Sequence, residues 1–181
     1  MGQIIETNRL KIRYISQADA ASIFKLRSAP ETFKYVDIPP YENIMRAKRF
    51  IKSVLKDIKN KEAFFWCIEL RDKETQRYDF VGTICLWNFD AKKEVAEMGY
   101  EVLPEYYNRG IATEAIGGII DFIKNQLEIK EVHAVTHELN LPSIKLLMRY
   151  NFERKGIAND VDPELDEPKE MILYALRIMR E

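Results

Sequence analysis

The chain has 181 residues, 46% apolar and 31% charged, with a net charge of −1. That length suits one soluble domain, residues 1–181, with a sizeable core. The balanced charge removes the electrostatic argument for direct nucleic-acid binding or an anionic membrane, and no apolar run approaches the ~20 residues needed to span a bilayer.

Met1-Gly2-Gln3-Ile4-Ile5-Glu6 lacks a basic region followed by an apolar signal core, so a cytoplasmic protein is expected. Thr7 lies one place beyond where N-myristoylation wants Ser or Thr, so Gly2 is not read as an acylation site. Arg9 to Ile15 alternates Leu10, Ile12 and Tyr14 against Arg9, Lys11 and Arg13, as a half-exposed strand does. Gln17 to Ser28 reads as a helix capped by Ser16, with Ala20, Ile23, Phe24 and Arg27 in register. Phe33 to Tyr41, with Pro39-Pro40, is a loop. Asn43 to Lys59 is a basic amphipathic helix that turns Ala47, Phe50, Ile51, Val54, Leu55 and Ile58 inward.

Ala63 to Leu70 and Phe80 to Trp87 are strands joined by the polar hairpin loop Arg71 to Asp79. Cys67 and Cys85 fall within them and form no Cys-x-x-Cys pair, so buried reduced thiols are expected rather than a disulfide or a zinc site. Phe64, Phe65, Trp66, Trp87 and Phe89 are core or cleft wall. Glu94 to Leu103 is a further strand, closed by Pro104.

Tyr107-Asn108-Arg109-Gly110-Ile111-Ala112-Thr113-Glu114-Ala115 then opens a helix, Gly110 to Leu127, with Ile111, Ala115, Ile119, Ile123 and Leu127 along one stripe. A helix start has unpaired N–H groups and the positive end of the helix dipole. Gly110 and Ala112 leave little side chain in the way, a layout suited to a pyrophosphate. An ordinary strand-to-helix connection would read the same on spacing alone. There is no Walker lysine and no Rossmann glycine triplet.

Glu131 to His137 is a strand with His133 and His137 on one face; no third ligand accompanies them, so no metal site is expected. Leu141 to Tyr150 is a short helix capped by Asn140, with Pro142 in its first turn and Asn151 as a left-handed stop. Phe152 to Ile157 and Met171 to Ile178 are the last strands, joined by an acidic exposed loop, Asp160 to Pro168. The order β-α-α-β-β-β-α-β-α-β-β predicts one mixed α/β sheet with helices on both faces.

With the glycine-turn helix placed after the fourth strand, the chain resembles the GNAT N-acetyltransferases, and within them the RimJ/RimL-type ribosomal-protein enzymes. The residues that carry the likeness are Glu97-Met98-Gly99-Tyr100, the run Pro104 to Ala115, Asn140-Leu141-Pro142-Ser143 leading to Asn151-Phe152, and the opening Glu6 to Arg13. The likeness spans almost the whole chain. Two departures stand out. The pyrophosphate loop's first position, usually Gln or Arg, is Tyr107, and Asn108 stands where this subgroup often has Gly. Asn151 replaces the usual Gly before Phe152.

The resemblance implies the GNAT fold, a mostly antiparallel twisted sheet, and transfer of an acetyl group from acetyl-CoA to a primary amine. It implies that the backbone from Asn108 through Arg109, Gly110, Ile111 and Ala112 to Thr113 holds the pyrophosphate, with Arg109 adding charge. The pantetheine arm would lie along Tyr100, Glu101, Val102 and Leu103, with Asn140 on its other side and a strand N–H near Tyr100 polarising the thioester carbonyl. Glu97 is the candidate base and Glu101 the alternate; they share strand parity unless a bulge intervenes. Many relatives supply a tyrosine to the leaving thiolate, but Leu147 stands at that position. Ser143 is the substitute, as in this subgroup, unless it only stabilises the first helical turn. Tyr150 lies on another face and is read as packing; His137 is placed near the acceptor cleft.

Direct transfer in a ternary complex is expected, because no active cysteine is evident. The acceptor is expected to be a protein N-terminal α-amine, with a small amine (polyamine, amino acid or aminoglycoside) as the alternative and the chain a monomer or homodimer. The basic helix Asn43 to Lys59 reads as a solvated face; in this family it also borders the acceptor, which leaves open a meeting with an acidic partner. Tyr107 and Leu147 also keep open a non-catalytic CoA-binding sensor or docking module. A nucleotide switch would lack its P-loop lysine and magnesium ligand.

Overall fold

The alternation of Leu10, Ile12 and Tyr14 does form a strand in the computed structural model, which describes residues 4–35, 39–158 and 171–180. The strands are β1 (Ile5–Glu6), β2 (Leu10–Tyr14), β3 (Phe64–Arg71), β4 (Tyr78–Trp87), β5 (Val95–Val102), β6 (Glu131–His137), β7 (Glu153–Ile157) and β8 (Met171–Arg177). The α-helices are α1 (Ala20–Ser28), α2 (Ile44–Lys59), α3 (Ile111–Gln126) and α4 (Leu141–Arg149). Short 3-10 turns occupy Gln17–Asp19, Pro30–Phe33 and Pro104–Tyr106.

Caps explain several boundaries. The Asn43 side chain accepts from the N–H groups of Met45 and Arg46, and Asn140 accepts from Ser143 N–H. Asn151 takes a left-handed φ of 60°, as expected of a stop that Asn tolerates. Several boundaries differ from the sequence expectation; β3 runs through Arg71 and β4 begins at Tyr78, both inside the expected loop Arg71 to Asp79. The helix expected from Gln17 starts as a 3-10 turn, because the Asp19 carboxylate accepts from both the N–H and the hydroxyl of Ser16 and pairs with Arg13. A two-residue strand, β1, precedes the expected first strand and pairs with it, Ile5 opposite Ile12. The loop expected at Asp160 to Pro168 lies outside the described residues.

The eight strands among the described residues form one sheet in the order β1-β2-β3-β4-β5-β6-β8-β7. Every neighbouring pair is antiparallel except β5 and β6, which are parallel and joined through α3. A parallel pair needs such a crossover. One core packs α3 and α4 on Leu10, Ile12, Trp66, Ile84, Met98 and Val132. The other packs α1 and α2 on Phe65 and Cys67. A bulge sits where the β3–β4 register shifts between Ile68 and Glu69. Just past it, a Cβ on Gly82 would lie 2.2 Å from the Glu101 carbonyl oxygen, so only glycine lets β4 approach β5 this closely.

The start of the chain is pinned to the first turn of α3. Glu114 accepts from the Thr7 hydroxyl (2.6 Å), the Arg9 N–H (2.7 Å) and Arg9 Nε (2.7 Å). Burial pushes the Glu114 carboxyl up, but the hydrogen bonds from Thr7 and Arg9 outweigh it and hold it below the usual range. The folded value is therefore below the unfolded one. The stability this gives is fully present above about pH 4.3 and is lost as pH falls through the folded value. Glu114→Gln is expected to lower the urea midpoint at neutral pH and to shrink the drop in midpoint on acidification. A drop of unchanged size would assign the acid sensitivity elsewhere.

Candidate active site

The β5–β6 ladder holds for three residue pairs, Val95 with Glu131, Ala96 with Val132 and Glu97 with His133. Beyond Glu97, β5 still pairs with β4 as far as Val102, and β6 still pairs with β8 as far as His137. Among the described residues, neither strand has a ladder partner on the side facing the other beyond that point. The sheet therefore opens between the carboxyl ends of two parallel strands, the usual place for a ligand in such a layout. The first turns of α3 and α4 follow these two strand ends.

The α3 end is shaped by backbone conformation. Asn108 and Gly110 both take left-handed φ values, 59° and 73°, on either side of Arg109. Gly110 is the N-cap and provides no side chain to the first turn, so the helix opens with its N–H groups uncapped by a side chain. Such a bend followed by free N–H groups forms an anion-binding concavity. Arg9 Nη1 donates to the Arg109 carbonyl (3.1 Å) and so ties the loop to β2. The Arg109 guanidinium lies over the Tyr106 ring at 5.1 Å. Gly110→Val would force a β-branched residue into a left-handed backbone beside Arg9, whose Nη2 is 3.4 Å from an added Cβ. It is expected to weaken binding of the acetyl-CoA that the resemblance implies by about tenfold or more, read by calorimetry; unchanged affinity would remove this turn as a pyrophosphate site.

The β4–β5 register runs without a break from Glu97 to Val102, so Glu97, Gly99 and Glu101 do share a face. It is the α1–α2 face, because Glu101 meets Arg27 of α1 there. Arg27 Nη2 lies 3.1 Å from Glu101 Oε1, Arg27 Nε donates to Oε2 (3.1 Å), and the Thr83 hydroxyl donates to Oε2 (3.3 Å). The same guanidinium donates to the Tyr41 hydroxyl and sits 3.9 Å from the Phe50 ring centre. Burial pushes Arg27 down, but Glu101 and Tyr41 outweigh it and hold it above its ordinary value. Glu97 is half-buried and accepts from Asn88 Nδ2 at 3.3 Å.

Tyr100 points to the other face, where α3 and α4 pack. Its hydroxyl lies 2.8 Å from Ser143 Oγ in the first turn of α4, spanning from one strand end to the other helix start. Burial pushes the Tyr100 hydroxyl up to about 12, with Ser143 opposing. Leu147 is 1% exposed and belongs to the core. Tyr150 donates to the Thr113 carbonyl, a packing role that holds α4 to α3. Asn140 uses its side-chain oxygen to cap α4. His137 Nδ1 accepts from Leu139 N–H, and the ring lies tilted against Tyr35 with centroids 6.3 Å apart. His133 pairs with Glu131 at 2.7 Å.

The candidate residues thus gather around the opening in two groups. Glu97 and Glu101 lie on the α1–α2 face; Tyr100, Asn140, Ser143 and the turn from Asn108 to Thr113 lie along the cleft and on the α3–α4 face. The pairings of Tyr100 with Ser143 and of Arg27 with Glu101 were missed in the sequence. Arg27 had left a signal: a charge in the apolar register of a helix needs a buried partner. Burial pushes both cysteine thiols up, so neither is poised as a thiolate. No group of three or more His, Cys, Asp or Glu side chains gathers among the described residues, and no described helix is long and apolar enough to cross a membrane.

Residues 9–153 match the acetyltransferase (GNAT) domain model. YoaA of Bacillus subtilis strain 168, named an uncharacterized N-acetyltransferase, is 29% identical over 181 residues, 100% of each chain. RimL, solved with coenzyme A and named a ribosomal-protein α-N-acetyltransferase, superposes with a TM-score of 0.84 at 14% identity, covering 97% of this chain and 98% of its own. A ribosomal-protein alanine acetyltransferase from Vibrio fischeri superposes with a TM-score of 0.80 at 20% identity, covering 98% and 97%. At those identities the two structures speak for the fold.

Proposed function

This chain belongs to the acetyltransferase (GNAT) domain family and is an N-acetyltransferase, and on that premise we propose that it acetylates a protein N-terminal α-amine by direct transfer from acetyl-CoA within residues 1–181. The observation that carries the reading is the opening of the sheet beyond Glu97, flanked by two helix starts. A thioester seated there is reached by Glu97 from one face and by Ser143 from the other. The chain's features fit the cosubstrate: an uncapped α3 start after two left-handed residues for the pyrophosphate, and a β5 edge from Tyr100 to Val102 with no ladder partner among the described residues for an extended amide-bearing arm.

Acetyl-CoA supplies the activated acetyl group. The backbone from Asn108 to Thr113 binds its pyrophosphate, and Asn140 borders the arm from the β6 side. Glu97 takes the proton that the attacking amine must lose, directly or through water. A β5 N–H near Tyr100 polarises the thioester carbonyl. Ser143 donates a hydrogen bond to the departing sulfur. Glu101 remains in its pair with Arg27 and positions β5. The raised cysteine thiols support attack by the amine itself rather than an acetylated cysteine.

An α-amine suits this single carboxylate. With a pKa of ~8 it is neutral in about 10% of molecules at pH 7, against about one in 2,500 for lysine. RimL and the Vibrio fischeri enzyme are named for ribosomal proteins, the first for an α-amine. The test compares kcat/KM for peptides with free N-terminal serine or alanine, the same peptides blocked at the N-terminus but carrying lysine, and spermidine, free amino acids and an aminoglycoside. Preference for free N-termini is expected. Preference for spermidine, a free amino acid or the aminoglycoside would replace the protein acceptor with a small amine.

A further inference from the structure

We infer that Tyr100 is a positioning residue that turns the Ser143 hydroxyl toward the leaving sulfur; the inference rests on the transferase reading above. The two oxygens lie 2.8 Å apart, with Tyr100 on β5 and Ser143 in the first turn of α4, so the pair bridges the floor of the cleft. A serine hydroxyl has one hydrogen to give and two lone pairs to receive. If Ser143 gave its hydrogen to Tyr100, none would remain for sulfur. The 2.8 Å contact is open to either donor, and we assign its hydrogen to the phenol, the stronger acid of the two, with Ser143 Oγ accepting. Burial keeps it protonated, at a pKa of about 12, so it remains a donor at neutral pH. The Ser143 backbone N–H is already given to Asn140 Oδ1, which leaves the hydroxyl as that residue's one donor for a ligand. Leu147, buried in the core, offers none from the next turn.

The atoms balance without a proton from either hydroxyl. The amine nitrogen bonds to the acetyl carbon as the carbon–sulfur bond breaks, the electron pair of that bond passes to sulfur, and the amine's proton leaves through Glu97 to water. Ser143 stays protonated and lends the thiolate one hydrogen bond, while Tyr100 fixes which way that bond points.

The experiment is a double-mutant cycle of Tyr100→Phe and Ser143→Ala. It reads kcat with a free N-terminal seryl peptide and with spermidine, the acetyl-CoA Kd by calorimetry, and the thermal midpoint. Ser143→Ala is expected to lower kcat by ~10–100-fold and Tyr100→Phe by ~10-fold, the scale of a hydrogen bond to a charged group, with Kd held within about twofold. The double variant is expected to match Ser143→Ala alone, because Tyr100 acts through Ser143. A purely structural role for Tyr100 would move the midpoint or Kd and would persist in the Ser143→Ala background. Unchanged kcat in Tyr100→Phe, or losses that multiply in the double variant, would overturn the inference and leave the transferase reading standing. A wild-type chain that releases no thiol with any amine would instead remove the transferase reading beneath it.

Discussion

Glu97→Gln is expected to lower kcat by roughly 10²–10³-fold at neutral pH while acetyl-CoA binds within about twofold, as for loss of a general base. Glutamine keeps the size of the side chain and can still meet Asn88, so the change removes charge and basicity more than shape. The residue sits opposite His133 at the last paired position before β5 and β6 part, with its side chain on the α1–α2 face. The deficit is expected to narrow as pH rises past about 8, because the α-amine then sheds its proton without help. A pH profile of kcat/KM for both proteins measures this. Equal rates at neutral pH would move the proton to another group, and a deficit that ignores pH would make Glu97 an acceptor-binding residue instead.

Arg27→Ala is expected to cost about 3 kcal/mol of stability, seen as a lower urea midpoint with an unchanged slope. The Arg27 and Glu101 side chains are 14% and 22% exposed, so removing the guanidinium strands a carboxylate largely out of water. It also removes the cation from the Phe50 ring and a donor from Tyr41. A loss under about 0.5 kcal/mol would show a solvent-screened pair and return Glu101 to the list of candidate bases.

Local chemistry made much of this fold legible. The N-cap at Asn140, the left-handed stop at Asn151, the polar hairpin between β3 and β4 and the basic stripe of α2 each depend on residues close in sequence. Period-two reading also assigned Glu97, Gly99 and Glu101 to one face, because no bulge falls in that stretch. The parting of β5 from β6 was not legible from periodicity. It depends on where two strands separated by a whole helix stop pairing, and neither strand's own pattern records that. Tyr100 and Ser143 are 43 positions apart, and Arg27 and Glu101 are 74 apart. Their side chains meet only through packing between distant elements. The strand β1 was hidden for a different reason: two residues are too few to show alternation.

We propose that this chain moves an acetyl group from acetyl-CoA to an amine, with Glu97 as the base. That transfer is tested most directly by counting thiol released against amine acetylated, for the wild type and Glu97→Gln side by side, with acetyl-CoA binding measured on both. The predicted result is one thiol per acetylated amine in the wild type, and loss of turnover with binding intact in the variant. Clear acetyl-CoA binding with no thiol released by the wild type across the acceptor panel would contradict the account.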